Sequence, residues 1–320
     1  EAEAAHDGLN KLLSLGNLSS ALAYQGEVSA ARAAADAVVE AAPEHGDFLA
    51  GMGYSALTLA ALAAGEVETA QEANEAAWRH LGVLPKLAAL WPAFYAQVAL
   101  AGGDLTAARR WADDAVSAAT GWHLMAALTT RARVAIAQRE FEQAECDARE
   151  ALACAAGTGA PLFTPDIFEC LAGLAGENGS HREAARLFGA ADAIRRRMGA
   201  ARFKIYDAGY EASVAALRKG MGDNDFDRAW AEGAALSTEE AISCAQRGHG
   251  ERKRPATGWA SLTPAEHDIV RLVGQGLGNK DIAMRLVVSP RTVQAHLTHV
   301  YTKLGLTSRV QLVQEAARHT

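Results

Sequence analysis

The chain has 320 residues, with 31 Lys plus Arg against 38 Asp plus Glu and a formal net charge of -7. That acidic balance excludes a protein coated in nucleic acid along its whole length. No signal peptide and no apolar run of bilayer length is expected, and Cys146, Cys154, Cys170 and Cys244 lack CxxC spacing, so they read as buried, reduced thiols of a cytoplasmic protein.

The first two hundred residues are rich in alanine and lack strand signals. A phrase recurs in which a turn residue is followed by a polar residue, an apolar residue, two further positions and an alanine. It reads Gly26-Glu27-Val28-Ser29-Ala30-Ala31, Gly65-Glu66-Val67-Glu68-Thr69-Ala70, Gly103-Asp104-Leu105-Thr106-Ala107-Ala108 and Arg139-Glu140-Phe141-Glu142-Gln143-Ala144, with a degenerate copy at Gly179-Ser180-His181-Arg182-Glu183-Ala184. Successive starts lie about 36 to 40 residues apart, the period of two-helix repeats. Each phrase should join the two helices of a hairpin, and the alanine should let helices approach closely. Residues 1–200 are therefore expected to form a helical-hairpin array. It resembles the tetratricopeptide repeat in a loose form with longer loops. The resemblance implies a right-handed superhelix whose concave groove takes peptides or partner proteins.

Residues 201–246 read as a helical cap on that array, with helices over 207–219, 225–232 and 237–246. Ser237-Thr238-Glu239-Glu240 is a capping box. Residues 247–258 are rich in glycine and basic residues without periodicity, as in a flexible linker. Its Arg252-Lys253-Arg254 run is expected to be solvated.

Four short helices follow in residues 259–320. Leu262-Thr263-Pro264-Ala265-Glu266 starts the first, with Thr263 as cap and Glu266 reaching back to it. Ile269, Val270, Leu272 and Val273 form its apolar side, and Gly274 and Gly276 end it. Asn279 to Leu286 is the second, with Ile282, Ala283 and Leu286 inward, and Val287-Val288 is a turn. Ser289 then caps a third helix over 289–304, with Pro290 at its first position and Gly305 as its left-handed stop. Val293, Leu297, Val300 and Leu304 repeat every three to four residues and predict one buried face. Arg291, Thr292, Gln294, His296, Thr298 and Lys303 are left for the other face, which suits phosphate and base edges. Residues Ser308 to Ala317 make the fourth helix. Two short helices joined by a tight turn define a helix-turn-helix reader of DNA. Basic residues also outnumber acidic ones here (Arg271, Lys280, Arg285, Arg291, Lys303, Arg309 and Arg318 against Glu266, Asp268, Asp281 and Glu315), so attraction to DNA is concentrated in this module.

This segment resembles the C-terminal DNA-binding domain of the LuxR family of bacterial transcription regulators. The matching residues are Leu262-Thr263-Pro264-x-Glu266, Gly276-Leu277-x-Asn279-Lys280-x-Ile282-Ala283-x-x-Leu286, Ser289-Pro290-Arg291-Thr292-Val293-x-x-His296, Lys303-Leu304-Gly305 and Ser308-Arg309. The resemblance implies that Gln294, Ala295 and Thr298 face the major-groove floor, where glutamine suits adenine and the methyl groups suit thymine. It implies phosphate contacts from Asn279, Lys280, Arg291, Thr292 and Lys303. Pairing on double-stranded DNA as a homodimer is expected through Ser308, Leu312, Val313 and Ala316, with half-sites about one helical turn apart. Three positions depart from the common pattern: Gly278 replaces a usual Ser or Thr cap, His267 a frequent Arg or Glu, and Gln294 a frequent Lys.

Hairpin arrays followed by such a reader resemble the large ATP-dependent regulators of the family. That implies an ATP site in a module preceding this chain, no cofactor within it, a protein or small-molecule effector at the array, and RNA polymerase as a partner of an activator. Other motifs weigh little. His296 and His299 lack the further ligands of a metal site. Gly274-Gln275-Gly276-Leu277-Gly278-Asn279-Lys280 misses the phosphate-loop spacing, and no catalytic constellation is visible. The expectation is an all-α, non-enzymatic regulator: a tetratricopeptide-like helical-hairpin solenoid followed by a four-helix reader. The alternative is a scaffold working mainly through the groove of the array.

Overall fold

A computed structural model describes residues 2–82, 92–158, 162–247, 258–259, 262, 264–286 and 290–316. The described residues are helical, with two short 3-10 turns and no strand. Two compact units are present, residues 1–246 and 247–320.

In the first unit, helices α1 (Ala2–Gln25), α2 (Val28–Ala41), α3 (Asp47–Ala64), α4 (Val67–Leu81), α5 (Pro92–Ala101), α6 (Leu105–Ala118), α7 (Gly121–Ala137), α8 (Phe141–Thr158), α9 (Thr164–Glu177) and α10 (His181–Met198) pack in sequence order. The repeated phrase marks the same device five times. Each turn residue (Gly26, Gly65, Gly103, Arg139 and Gly179) has a φ between +62° and +82°. Its amide donates to the carbonyl three residues back, and the next amide donates to the carbonyl five back, as for Gly65 to Leu62 and Glu66 to Ala61. This is the Schellman closure that satisfies orphan carbonyls at a helix end. The alanine that closes each phrase, Ala31, Ala70, Ala108, Ala144 or Ala184, is fully buried. Here a larger side chain would force the helices apart. Between hairpins a further ion pair recurs: Arg32 with Glu66, and Arg109 with Glu140, join one phrase to the next.

One helix amends the sequence reading. α3 is long and apolar enough to cross a membrane by length and composition. Nearly all of Leu49–Ala63 is buried against α1, α2, α4 and the 3-10 turn at 204–206, so α3 is the core helix of the first hairpins. A second amendment concerns cysteine. Cys170 is buried as expected, whereas Cys146 is exposed on α8, and none of the four is in a disulfide.

Residues 201–206 do not behave as the start of a cap. They cross back over the array as a strap. Ala201 N–H donates to Tyr24 O at 2.7 Å, Phe203 packs on Tyr24 with ring centroids 5.1 Å apart, and Tyr206 Oη donates to Gln97 Oε1 at 3.1 Å. Helices α11 (Asp207–Met221), α12 (Asp223–Ala234) and α13 (Thr238–Arg247) follow. α12 lies against α10 at unusually close range. A Cβ on Gly189 would sit 2.2 Å from Trp230 O, and one on Gly233 1.9 Å from Arg186 O. The capping box of α13 is formed as its sequence predicts: Ser237 N–H donates to Glu240 Oε2 at 2.9 Å and Glu240 N–H to Ser237 Oγ at 3.1 Å.

The second unit holds α14 (Pro264–Gly274), α15 (Asn279–Leu286), α16 (Pro290–Leu304) and α17 (Arg309–Ala316). Its core is built from Leu262, Ile269, Val270, Leu272, Val273, Ile282, Ala283, Val293, Leu297, Val300, Leu312 and Ala316. α14 packs on both α16 and α17, and α15 on α16.

Candidate nucleic-acid interface

α16 is two-sided in the way its periodicity requires. Val293, Leu297 and Val300 are at most 1% exposed, whereas Gln294, Thr298, His299 and Thr302 are exposed and His296 is half-buried. The helix ends where predicted. Gly305 has a φ of +66°, and Leu306 N–H donates to Tyr301 O at 2.9 Å. Thr298 Oγ1 donates to Gln294 O at 3.0 Å, which fixes its rotamer on the exposed side.

The two helices of the reader are tied by a polar chain. Arg309 Nη1 donates to Asn279 Oδ1 at 2.9 Å, and Asn279 Nδ2 donates to Gln294 Oε1 at 2.9 Å. Arg309 also donates to Leu277 O, so it pairs within the module. Asn279, singled out for phosphate, thus already has both ends of its amide engaged. Lys280 beside it is exposed and makes no ion pair among the described residues. A cation in the first turn of a helix opposes the helix dipole. Lys280 on α15 and Arg291 on α16 both stand in such turns. A phosphate placed there turns that repulsion into attraction and meets the free amides of both helix starts.

Lys303 has a different setting. Its Nζ lies 2.6 Å from Oε2 of Glu266, whose side chain is 3% exposed, against 26% for Lys303. Lys303 therefore neutralises a buried carboxylate of α14 from the last turn of α16. Gly258 N–H donates to Lys303 O at 2.6 Å, and the rings of Trp259 and His267 meet edge to face at 5.7 Å. The end of the linker segment is thus docked on the module.

The fourth helix puts the four residues expected at a pairing surface in different settings. Leu312 is fully buried and Ala316 is 5% exposed, both in the module's own core, where Ala316 approaches Gly274. Neither side chain is free to meet another molecule. Ser308 Oγ accepts from Gln311 N–H at 3.3 Å and so serves the start of α17. Val313 is half-buried, and Val310, three residues earlier, is 67% exposed. Val310 and Val313 form the apolar outward edge of α17. Periodicity alone does not say which of the two apolar stripes of α17 faces inward.

The predicted caps Thr263 and Ser289, the turn 287–288 and the basic run 252–254 lie outside the described residues. So do the side chains of Arg291, Thr292 and Ala295, whose backbone is helical. The described residues contain no cluster of potential metal ligands, which includes His296 and His299.

A helix-turn-helix whose second helix exposes an amide and a hydroxyl, with an exposed lysine in the first turn of the helix before it, suits a DNA-binding module. Residues 260–316 match the family of bacterial regulatory proteins named luxR, and the C-terminal unit is a LuxR-family helix-turn-helix domain. Over 99% of its length the chain is 61% identical to Rv0890c of Mycobacterium tuberculosis and to Mb0914c of Mycobacterium bovis, both named as HTH-type transcriptional regulators. It spans 36% of the length of each. Over 57 residues, 18% of this chain and 26% of the relative, it is 49% identical to the oxygen regulatory protein NreC of Staphylococcus aureus. No solved structure matches the chain.

Proposed function

We propose that the chain is the C-terminal part of a transcription regulator that binds double-stranded DNA. In this reading α16 enters the major groove, and Gln294, Ala295 and Thr298 read base edges. Lys280, Arg291 and Thr292 hold phosphates at the two helix starts, and Asn279 positions Gln294. Lys303 reaches phosphate from its pair with Glu266. The observation that carries the reading is the exposed Gln294–Thr298 side of α16, held by Asn279 beside the unpaired Lys280. Two copies pair through the Val310–Val313 edge of α17 on half-sites about one helical turn apart. The hairpin array is the sensory part, and an ATP-dependent module precedes it in the longer protein. RNA polymerase is the partner of an activator.

Selection from random duplexes tests the base contacts. The proposal expects an enriched site with A·T pairs at its core positions, and Gln294→Ala should relax one of them. A uniformly G·C core would count against the glutamine and methyl readout, and no enrichment at all would count against DNA recognition by this chain.

A further inference from the structure

The first helices of the hairpins, together with the strap at 201–206, enclose a cavity of about 430 Å³. Its wall draws on α1, α3, α5, α6, α7, α9 and α10, so an occupant would touch every described hairpin at once. The volume falls within the roughly 300–1,000 Å³ of small-molecule sites. Most of the wall is apolar, with Leu59, Phe94, Phe163 and Phe203 among its larger side chains. Asn17 and the half-exposed Trp122 stand where the wall reaches solvent.

The polar groups gather on one side, and they are unbalanced. Arg133, Arg195 and Asp166 are the charged residues of the wall. Arg133 Nη2 binds Asp166 Oδ1 at 2.6 Å. Arg195 and Arg202 share Glu169, each at 2.8 Å. Three guanidinium groups thus stand on two carboxylates, all with side chains at most 14% exposed. The next carboxylate, Asp207, lies 3.6 Å from Arg202 and is 42% exposed, so water screens it. Arg195 Nε is buried and has no hydrogen-bond partner. Gln97 Oε1 is taken by Tyr206, which leaves its amide nitrogen to donate. A buried cluster with surplus donors and positive charge is costly until an acceptor arrives.

We propose that this cavity binds a small organic anion with an apolar, ring-containing body. The anionic group lies against Arg133 and Arg195, and the rings against the aromatic wall. The proposal deepens the reading of the array as sensory and rests on it only for its regulatory meaning. An occupant bridging the hairpins and the strap would bind the folded array and not the unfolded chain, so it would raise stability by mass action.

The test uses the full chain and two probes that share a ring body, 1-anilinonaphthalene-8-sulfonate and its uncharged counterpart N-phenyl-1-naphthylamine. One sulfonate probe should bind per chain, about tenfold or more tighter than the neutral one, as expected of a charge-assisted hydrogen bond. Ala126→Phe and Ser20→Phe, which fill the cavity from two different helices, should each weaken binding by about tenfold. Trp122→Phe should cut energy transfer from tryptophan to the bound probe, a reading that does not depend on the filling variants folding. Equal affinity for both probes would overturn the anionic class. Undiminished binding in filling variants that keep the parent's helicity, or unchanged transfer in Trp122→Phe, would overturn the site. DNA affinity measured with and without the sulfonate probe is a separate arm. No change there would count against the sensory reading and leave the binding site standing.

Discussion

Asn279 Nδ2 donates to Gln294 Oε1 at 2.9 Å, so the scaffold helix of the reader holds the side chain with which the recognition helix would meet a base. Arg309 fixes Asn279 in turn. Glutamine loses considerable rotamer freedom when it is ordered, and holding it before DNA arrives reduces the cost of binding. Asn279→Ala should weaken binding to the selected site by about tenfold while changing affinity for random duplex much less. An equal loss on both duplexes would assign Asn279 to phosphate instead.

Lys303 and Glu266 separate folding from DNA contact. Lys303→Ala removes the cation that faces the buried Glu266 carboxylate and should cost about 2–3 kcal/mol in chemical unfolding of the C-terminal unit. The double change Glu266→Gln with Lys303→Met removes both charges and should recover most of that stability. If the double variant is stable but binds DNA with a shallower salt slope, Lys303 reaches phosphate. An unchanged slope would confine it to the ion pair.

Arg139 is the one non-glycine residue with positive φ among the described residues, at 62°, where the other copies of the phrase carry glycine. Left-handed backbone costs a side chain about 1 kcal/mol or more, and glycine also gains freedom in the unfolded chain. Arg139→Gly should therefore raise stability by a net of about 0.5–1 kcal/mol, seen as a modest rise in Tm, despite losing the stacking of Arg139 over Phe141.

The close approach of α10 and α12 predicts a large effect from one methyl group. Gly189→Ala would place its Cβ 2.2 Å from Trp230 O, a backbone atom with no rotamer to yield. The expected loss is about 3 kcal/mol, at the upper end of overpacking effects. Gly173→Ala, in helix α9 with open space at its Cβ, is the control and should be neutral or slightly stabilising.

Alkali should weaken the array through its buried tyrosines. Burial pushes the Tyr206 hydroxyl up to about 12 and that of Tyr24 higher still, with the carboxylate of Asp166 adding to both and Arg133 opposing it. Both folded values lie above the ordinary tyrosine value of 10.0, so the linked stability is fully present below pH 10. It is lost as pH rises from about 10 toward 12 for Tyr206, because the unfolded chain ionises first. Tyrosinate absorbance should show these two groups titrating together with unfolding.

Much of this was legible in the sequence because it depends on local rules. The glycine phrases predict their turns, since a Schellman closure needs a left-handed residue at a fixed place, and the 3.6-residue period of α16 predicts its buried side. The Ser237–Glu240 capping box is a local pattern as well. What stayed hidden depends on distant partners. Tyr24 and Ala201 are far apart in sequence, so nothing local announces the strap that crosses the array. The Lys303–Glu266 pair joins two helices whose packing must be known first. The same holds for α17, where only the position of α14 decides that Leu312 faces inward and Val310 outward.

The central claim is that α16 and the basic first turns beside it bind DNA. The most direct test is the salt dependence of full-chain affinity for a selected duplex, compared with Lys280→Ala, Arg291→Ala and Gln294→Ala. The account predicts that each cation variant lowers the magnitude of the log–log salt slope by about 1 and weakens all sequences alike. Gln294→Ala should keep the slope and lose discrimination at one base pair. Parental slopes in both cation variants, with undiminished affinity, would contradict it.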